Sequence, residues 1–270
     1  MFASASTAKF VHWIPNAALG GVWLVELTVP ACGSGWNAAL IALAAAASIG
    51  AMARRLPLQN VLPAAALTVL VGGTAHALSA LPGVALPFGP MRFNSTAGRL
   101  VGGTIPWTVP LVWVIAVFNG RGVARLMLQP WRQVDHYGFW LIGLTAMLAT
   151  LFDVALEPYA WYVKQLWLWL PTRLPVTSLE IPLLNFLVWP WLVLLILLMV
   201  SPLLIRKQPG NPNTPEAYPL MIWLGALVLF AMGAARVQQW WTVGTDATMA
   251  VVTGILAVRG MRWPRCSPQA

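Results

Sequence analysis

Charge is scarce in this sequence. Asp, Glu, Lys and Arg together make up 9% of the 270 residues, whereas 59% of the residues are hydrophobic. A soluble globular domain carries about 25% charged residues, so the shortage of charge excludes a soluble globular protein. Several apolar runs are about 20 residues long, which is the length that crosses a bilayer core. The sequence therefore predicts an all-α, polytopic bundle of transmembrane helices.

The patterns that bind metals and cofactors are also missing. The two cysteines, Cys32 and Cys266, are far apart and lack metal-type spacing. The chain has no GxxxxGKS/T phosphate loop, no HExxH motif and no GxSxG motif. It also lacks an acidic DDxxD doublet of the kind that holds magnesium pyrophosphate. These absences argue against a metal centre, a haem and a diphosphate substrate, so no metal and no cofactor are expected.

The apolar runs predict about eight membrane spans in a single domain that covers residues 1–270. Their approximate bounds are 10–31, 36–53, 61–82, 104–120, 137–157, 181–204, 217–235 and 239–258. Segments rich in Gly and Pro separate several of the runs and predict turns between them. Seven spans are the alternative, because the stretch from Arg236 to Gly244 is only moderately apolar.

The 16 Lys and Arg residues are distributed unequally over the two sides of this topology. Eleven fall on the side that holds both termini, and five fall on the other side. Because cytoplasmic loops carry the excess of positive charge, this bias predicts a protein of the cytoplasmic membrane with both termini in the cytoplasm. A net charge of +9 would suggest nucleic acid in a soluble protein. Here the charge orients the spans, so no nucleic acid partner is expected.

Five of the seven acidic residues collect near the outer ends of the predicted spans. They are Glu26, Asp153, Glu157, Glu180 and Asp246. Asp153 and Glu157 are four residues apart, which puts both on one face of a single helix. His76, in the small-residue run GGTAHALSA, lies at a similar depth.

An ionisable side chain within hydrocarbon costs about 2.5–3.5 kcal/mol and needs a partner or a polar pocket. Capping a helix end or pairing with an outer basic residue is the preferred interpretation for Glu180, which lies beside a span boundary. For Glu157, which precedes Pro158, a helix-end role and a chemical role are both open. His76 could equally be a packed histidine at a helix contact. The remaining carboxylates are predicted to lie deeper in the membrane, which favours a functional role for them. They are Asp153, Asp246 and Glu26.

Clustered carboxyl groups in apolar surroundings tend to retain a proton, because burial and mutual repulsion both disfavour the charged form. A neutral carboxylic acid enclosed by hydrocarbon can protonate a weakly basic substrate, including an alkene. The pattern therefore predicts a general acid near the outer membrane surface.

Two stretches of the central region resemble one protein family. The first, PFGPMRFNSTAGRLVGGTIPWTVPLVWVIAVF at 87–118, carries Phe-Gly, spaced glycines and a Pro-rich start of a span that leads to Trp113. The second, at 152–189, carries FDVALEP, then WLW, then IPLLNFLVW. In order and spacing these motifs are similar to those of the integral-membrane carotenoid hydratases, which include the γ-carotene 1′-hydroxylase and bisanhydrobacterioruberin hydratase types. The chain departs from the family pattern at Asn94, Glu157 and Val188, where threonine, aspartate and glycine are usual.

The resemblance implies that water adds across the terminal C1=C2 double bond of an acyclic carotenoid such as lycopene, γ-carotene or a related polyene, in membrane lipid and without a cofactor. It implies Asp153 as the acid, with Glu157 and Asn185 positioning the water. Candidate substrate-binding residues are Phe88, Phe93, Trp113, Trp167, Trp169 and Trp189, and possible supporting polar residues are Glu26, His76 and Asp246. Each tryptophan could instead serve as an interfacial anchor.

Two other functions remain open at this stage. In a lycopene-type cyclase the same acid would form the same cation, and an internal alkene would capture it. A small membrane transporter or lipid-binding scaffold could use intramembrane carboxylates as a pathway. The scarcity of acidic residues on the inner side argues against that pathway.

Overall fold

The computed structural model describes residues 34–205 and 217–263, together with Gly20, Gly21 and Trp23. Seven helices in this part of the chain are long and apolar enough to cross a membrane, which confirms the all-α polytopic prediction. They are α1 (Ser34–Ala53), α2 (Leu58–Ala80), α3 (Val109–Met127), α4 (Tyr137–Pro158), α5 (Leu183–Val200), α6 (Tyr218–Arg236) and α7 (Trp240–Arg262).

These seven helices correspond to the second to eighth predicted spans. The stretch after Arg236 is only weakly apolar, which makes the last predicted span the least certain from sequence. The structure has a helix there, α7, from Trp240 to Arg262. The predicted span 10–31 falls outside the described residues, apart from the three isolated positions named above. Seven spans are therefore described, and the first of the eight predicted spans stays a prediction.

Helix α3 lies at the centre of the bundle. In its most apolar stretch 83% of the residues are buried, against 22–50% in the other six described helices. It packs against α1, α2, α4, α6 and α7. The outward faces of the peripheral helices expose large apolar side chains, such as Leu70 of α2 and Leu187 of α5. The hydrocarbon of a bilayer stabilises such an exposed apolar surface, whereas water does not.

Exposed aromatic residues mark the two ends of the bundle. Phe139 and Trp140 lie at the start of α4, and Trp240 and Trp241 lie at the start of α7. Because successive helices run in opposite directions, these pairs lie at opposite membrane surfaces, where aromatic rings concentrate. The chain is thus an integral membrane protein.

Two long connections cover one end of the bundle. We call them the cap, defined as residues 81–108 between α2 and α3 and residues 159–182 between α4 and α5. The cap contains β1 (Met91–Phe93), β2 (Leu100–Val101), β3 (Ile105–Pro106), β4 (Trp167–Trp169) and a π-helical turn (Tyr159–Val163). Strand β1 pairs antiparallel with β4, and β2 pairs with β3. The pairing of β1 with β4 joins the two connections into one layer.

The cap is held against the helix ends at two points. The Phe88 backbone N–H donates to Ser79 Oγ in the last turn of α2, at 3.0 Å. Gly89 adopts a φ of 120°, and a Cβ built there would lie 2.9 Å from Cγ of Pro182, just before α5. Glycine is required at this position because it tolerates the positive φ and leaves room for the proline ring. These contacts bring the cap down onto the ends of α2 and α5.

Candidate active site

Two carboxyl groups meet one amide beneath the cap. Asp153 and Glu157 lie on one face of α4, as their spacing predicts, and each is 1% exposed. Asn185, in the first turn of α5 and fully buried, donates from Nδ2 to Asp153 Oδ2 at 2.7 Å and to Glu157 Oε1 at 3.3 Å. One side-chain amide therefore bridges the carboxyl pair and joins α4 to α5.

Two tryptophans of β4 bind the other oxygen of Glu157. Trp167 Nε1 and Trp169 Nε1 donate to Glu157 Oε2 at 3.1 and 3.0 Å. Side chains alternate along a strand, so the two indoles leave β4 on the same, buried side, whereas Leu168 between them is exposed. Helix α4 ends at Pro158 and the chain continues directly into the π-helical turn, so Glu157 lies in the last turn of α4 with its carboxyl group bound by side chains of β4 and α5.

A pair of stacked indoles lies next to Asn185. Trp189 follows Asn185 by four residues and occupies the same face of α5. Its ring stacks on that of Trp113 from α3, with the centroids 3.9 Å apart and the planes inclined by 9°. Gly72 of α2 makes room for this stack, because a Cβ there would lie 2.2 Å from Cγ of Trp113. Three helices thus contribute to one aromatic contact.

His76 of α2 is enclosed by aromatic rings. Its ring centroid lies 4.6 Å from that of Phe88 and 5.9 Å from that of Phe93, which meets it edge-on. The centroids of Trp113 and Trp167 lie 5.9 and 6.4 Å away. The side chain is 3% exposed, and Nδ1 has no hydrogen-bond partner among the described residues. The imidazole is therefore held by packing against rings.

Ten of the twelve residues singled out from the sequence lie in this one cluster. They are Asp153, Glu157, Asn185, Phe88, Phe93, Trp113, Trp167, Trp169, Trp189 and His76. None of these six aromatic side chains is exposed at a membrane interface, because all are buried. Their catalytic and binding roles stay predictions, but their proximity is a property of the fold.

Of the other two residues, only Asp246 is described, and it does not join the cluster. Asp246 is buried in α7, and neither of its carboxyl oxygens has a hydrogen-bond partner within the described ranges. Glu26 lies outside the described residues. Glu180, for which a boundary position was preferred, is exposed in the cap. Asp246 is predicted at a depth similar to that of Asp153 and Glu157, yet it lies apart from them, so a similar depth in the membrane does not by itself bring carboxylates together.

Sequence reasoning missed the contribution of Gly72. The available signal was the small-residue run GGTAHALSA, in which Gly72 and His76 are four residues apart and share one helix face. Both residues contact the ring of Trp113. A glycine one turn from a buried histidine in an apolar helix indicates that a large side chain packs there.

An apolar cavity of about 70 Å³ lies on the neighbouring face of α4. Phe152 and Leu156 line it from α4, with Ile115 of α3 and Phe230 of α6 opposite. Asp153 and Glu157 point towards α5 and β4 and do not line this cavity. The carboxyl pair is therefore enclosed by its polar and aromatic partners, separately from this space.

Metal coordination does not suit the cluster. Within the described ranges, no group of three His, Cys, Asp or Glu side chains is close enough to hold a metal ion. The four side-chain hydrogen bonds to the carboxyl pair described above come from indole and amide N–H groups, which are donors and cannot bind a cation. The arrangement suits proton chemistry on an apolar substrate.

Residues 35–257 match the family described as carotenoid biosynthesis protein. The chain belongs to this family. The matched range extends from α1 to α7 and includes the whole cluster. The protein therefore acts in carotenoid biosynthesis at a membrane, on a substrate of the carotenoid type. Comparison with curated proteins and with solved structures gives no significant match.

Proposed function

We propose that the protein is a carotenoid 1,2-hydratase, which adds water across the terminal C1=C2 double bond of an acyclic carotenoid end. The observation that carries the proposal is the carboxyl pair, which is buried with a bridging amide and surrounded by aromatic faces. Two ionised carboxylates so close together in a medium of low dielectric constant repel each other strongly. One member of the pair therefore carries a proton in the resting enzyme.

The hydrogen bonds favour Asp153 as the member that carries the proton. Glu157 accepts two indole N–H donors and one amide donor, and donors aimed at a carboxylate stabilise its charged form. Asp153 accepts only the Asn185 amide among the side chains described. Glu157 is thus the resident anion, and Asp153 is the acid that meets the substrate.

The reaction follows from this assignment. The π electrons of the C1=C2 bond form a new C2–H bond with the Asp153 proton, which leaves a positive charge on the tertiary carbon C1. The Glu157 anion and the faces of Trp113 and Trp189 stabilise that cation. Water then forms the C1–O bond and releases one proton, and reprotonation of the Asp153 carboxylate completes the cycle. The product is a tertiary alcohol, and the net addition is one water molecule.

The substrate approaches from the bilayer in this proposal. Helices α2 and α5 carry His76 and Asn185 on their buried faces and expose Leu70 and Leu187 on their lipid-facing sides. The site is therefore separated from lipid by one layer of helices. A polyene dissolved in the membrane would place its end group between α2 and α5, under the cap.

A lycopene-type cyclase is the second candidate, because it uses the same acid and the same cation. Hydration is favoured by four buried polar atoms in the cluster that have no hydrogen-bond partner among the described residues. They are His76 Nδ1, Asn185 Oδ1, Trp113 Nε1 and Trp189 Nε1. A cyclase excludes water from its cation, whereas a hydratase must hold it. Membership of a biosynthesis family favours both enzymes over a transporter or lipid-binding scaffold.

Pigment analysis tests the proposal. The gene is expressed in cells that make lycopene or γ-carotene, and the extracted pigments are separated by chromatography and weighed by mass spectrometry. Hydration increases the mass by one water molecule for each end that reacts, whereas cyclisation leaves the mass unchanged. A pigment profile identical to that of cells with the empty vector would reject both enzymes.

The whole chain, residues 1–270, forms one integral-membrane domain in this proposal, with both termini in the cytoplasm and the cap at the outer surface of the cytoplasmic membrane. The excess of Lys and Arg on the side of the termini supports this orientation. Reporter fusions test it: a reporter active only in the cytoplasm should work at the C-terminus and fail when inserted in the cap near Gly102.

A further inference from the structure

Ring contacts, hydrogen bonds and one shared helix face link the side chains of the site into a ring. From His76 the ring runs to Trp113 (5.9 Å between centroids) and on to Trp189 (3.9 Å). Asn185 lies one turn from Trp189 on the same face of α5 and binds the carboxyl pair at 2.7 and 3.3 Å. Trp167 binds Glu157 at 3.1 Å, and its ring lies 6.4 Å from that of His76. His76 is linked to the carboxyl pair by two separate routes, one through Trp113 and one through Trp167. It therefore lies across the ring from the acid.

Several polar atoms around this ring have no hydrogen-bond partner in the part of the chain that the structure describes. His76 Nδ1, Asn185 Oδ1, Trp113 Nε1 and Trp189 Nε1 are all buried and make no hydrogen bond within the described part of the chain. A buried polar atom that nothing satisfies destabilises the fold, because it has lost its hydrogen bonds to water. Indole N–H groups are donors, whereas an amide oxygen and one nitrogen of a neutral imidazole are acceptors. Water, which donates and accepts two hydrogen bonds, matches this mixed set.

We propose that His76 accepts the proton that water releases when it adds to C1. This inference rests on the proposed hydratase function and names the base for its second step. As the C1–O bond forms, an O–H bond of the water breaks and its proton moves to the imidazole. Because His76 and Asp153 are separated by the indoles, water bound at the unpartnered polar atoms of the ring then carries a proton from His76 to the Asp153 carboxylate. This step restores both groups, and the net reaction consumes one water molecule.

The other acceptors in the ring are less well placed to take this proton. Glu157 accepts three hydrogen bonds, so three of the four lone-pair sites of its carboxylate are engaged. Asp153 becomes a carboxylate when it protonates C2, but it then faces C2 and not the water at C1. An amide oxygen such as Asn185 Oδ1 can orient the water but is too weakly basic to take its proton. The imidazole is the remaining acceptor, since its Nδ1 is buried and has no hydrogen-bond partner among the described residues.

Two substitutions of His76 separate basicity from packing. His76→Phe keeps an aromatic ring among Phe88, Phe93 and the indoles but removes the acceptor. His76→Gln keeps a weak acceptor of smaller size. Leu78→Ala is the matched control, because Leu78 lies two residues away on α2 and is exposed on the bundle surface. Thermal melting of each purified protein identifies any variant that has lost its fold.

The measurement uses isolated membranes that contain preformed acyclic carotenoid and are incubated in D2O buffer. Hydrated product is measured together with deuterium in the recovered, unhydrated carotenoid. When the cation forms but is not captured, it loses a proton from C2 or from a methyl group, and the regenerated alkene retains deuterium. The two signals therefore report water capture and substrate protonation separately.

We expect His76→Phe to lose about 100-fold or more of the hydrated product, in the range of general-base contributions, while deuterium in the recovered substrate persists or rises. His76→Gln should fall between His76→Phe and the wild type, and Leu78→Ala should match the wild type. Hydration by His76→Phe within twofold of the wild type overturns the inference. Loss of both signals in a folded His76→Phe protein also overturns it, because His76 would then be needed for protonation. A wild-type protein that makes no hydrated product contradicts the hydratase function itself.

Discussion

Trp167 and Trp169 donate hydrogen bonds to the same carboxylate oxygen of Glu157, at 3.1 and 3.0 Å. Two donors on one oxygen, with Asn185 on the other, fix both the position and the orientation of this carboxylate. The pairing of β4 with β1 fixes the indoles in turn. The cap thus acts as part of the candidate active site as well as its cover.

Replacing one of these indoles should weaken the site in a measurable way. Trp169→Phe keeps a buried ring but removes one N–H donor to a charged group, which is a loss of about 1.5–3 kcal/mol. We expect a lower melting temperature of the purified protein and about tenfold less hydrated pigment. Leu168→Ala is the control, because Leu168 is the exposed neighbour in the same strand. Equal effects of the two substitutions would contradict a specific role for the indole N–H.

Replacing the proposed acid should stop the reaction at its first step. Asp153→Asn keeps the size of the side chain, but its amide is not acidic enough to protonate an alkene. Hydrated product should therefore fall at least about 100-fold, the usual contribution of a general acid. Deuterium in the recovered substrate should fall with it. Melting curves should show a folded protein. Normal hydration by Asp153→Asn would remove Asp153 from the acid role.

Glu157→Gln tests the proposed role of Glu157 as the anion beside the cation. The glutamine oxygen can still accept the two indole N–H groups, but the anion that stabilises the cation is gone. We expect an intermediate loss of hydrated product, larger than for the Leu168→Ala control and smaller than for Asp153→Asn. Chromatography of pigments from matched cultures measures all three. A greater loss in Glu157→Gln than in Asp153→Asn would exchange the roles of the two carboxyl groups.

Features of this site that depend on neighbouring residues could be predicted from the sequence, whereas contacts between distant segments could not. The shared face of Asp153 and Glu157 follows from a spacing of four residues, and the spans follow from hydropathy. The contact of Trp167 and Trp169 with Glu157 depends on the pairing of β4 with β1, which is more than 70 residues earlier. No local periodicity specifies that pairing. For Asp246 the sequence predicts a depth in the membrane similar to that of the carboxyl pair, but the packing of α7 leaves it outside the cluster.

The approach of α2 to the aromatic stack should be sensitive to one methyl group. A Cβ at Gly72 would lie 2.2–2.6 Å from atoms of the Trp113 ring, so Gly72→Ala must displace that ring or the helix. Overpacking of this kind costs about 1–3 kcal/mol. We expect a lower melting temperature and reduced hydration. Gly143→Ala in α4 is the control, because a Cβ there meets nothing within 4 Å, and an equal loss in that variant would contradict the assignment.

Exchanging the acid and the amide should separate stability from catalysis. Asn185→Asp alone removes the N–H donor that bridges the carboxyl pair and adds a third carboxyl group, which should destabilise the protein by about 1–3 kcal/mol. Adding Asp153→Asn restores one amide between two carboxyl groups, now with the amide on α4 and the acid on α5.

We expect this double variant to recover most of the melting temperature lost by Asn185→Asp, because the amide–carboxyl hydrogen bond of 2.7 Å can form in the reverse sense. Hydration should not recover, because the acidic group has moved away from its position relative to Glu157 and the end group. Proton transfer depends on that position, because a misplacement of about 1 Å can cost about 100-fold in rate. Recovery of hydration in the double variant would show that any carboxyl group in the cluster suffices, and the specific role of Asp153 would have to be given up.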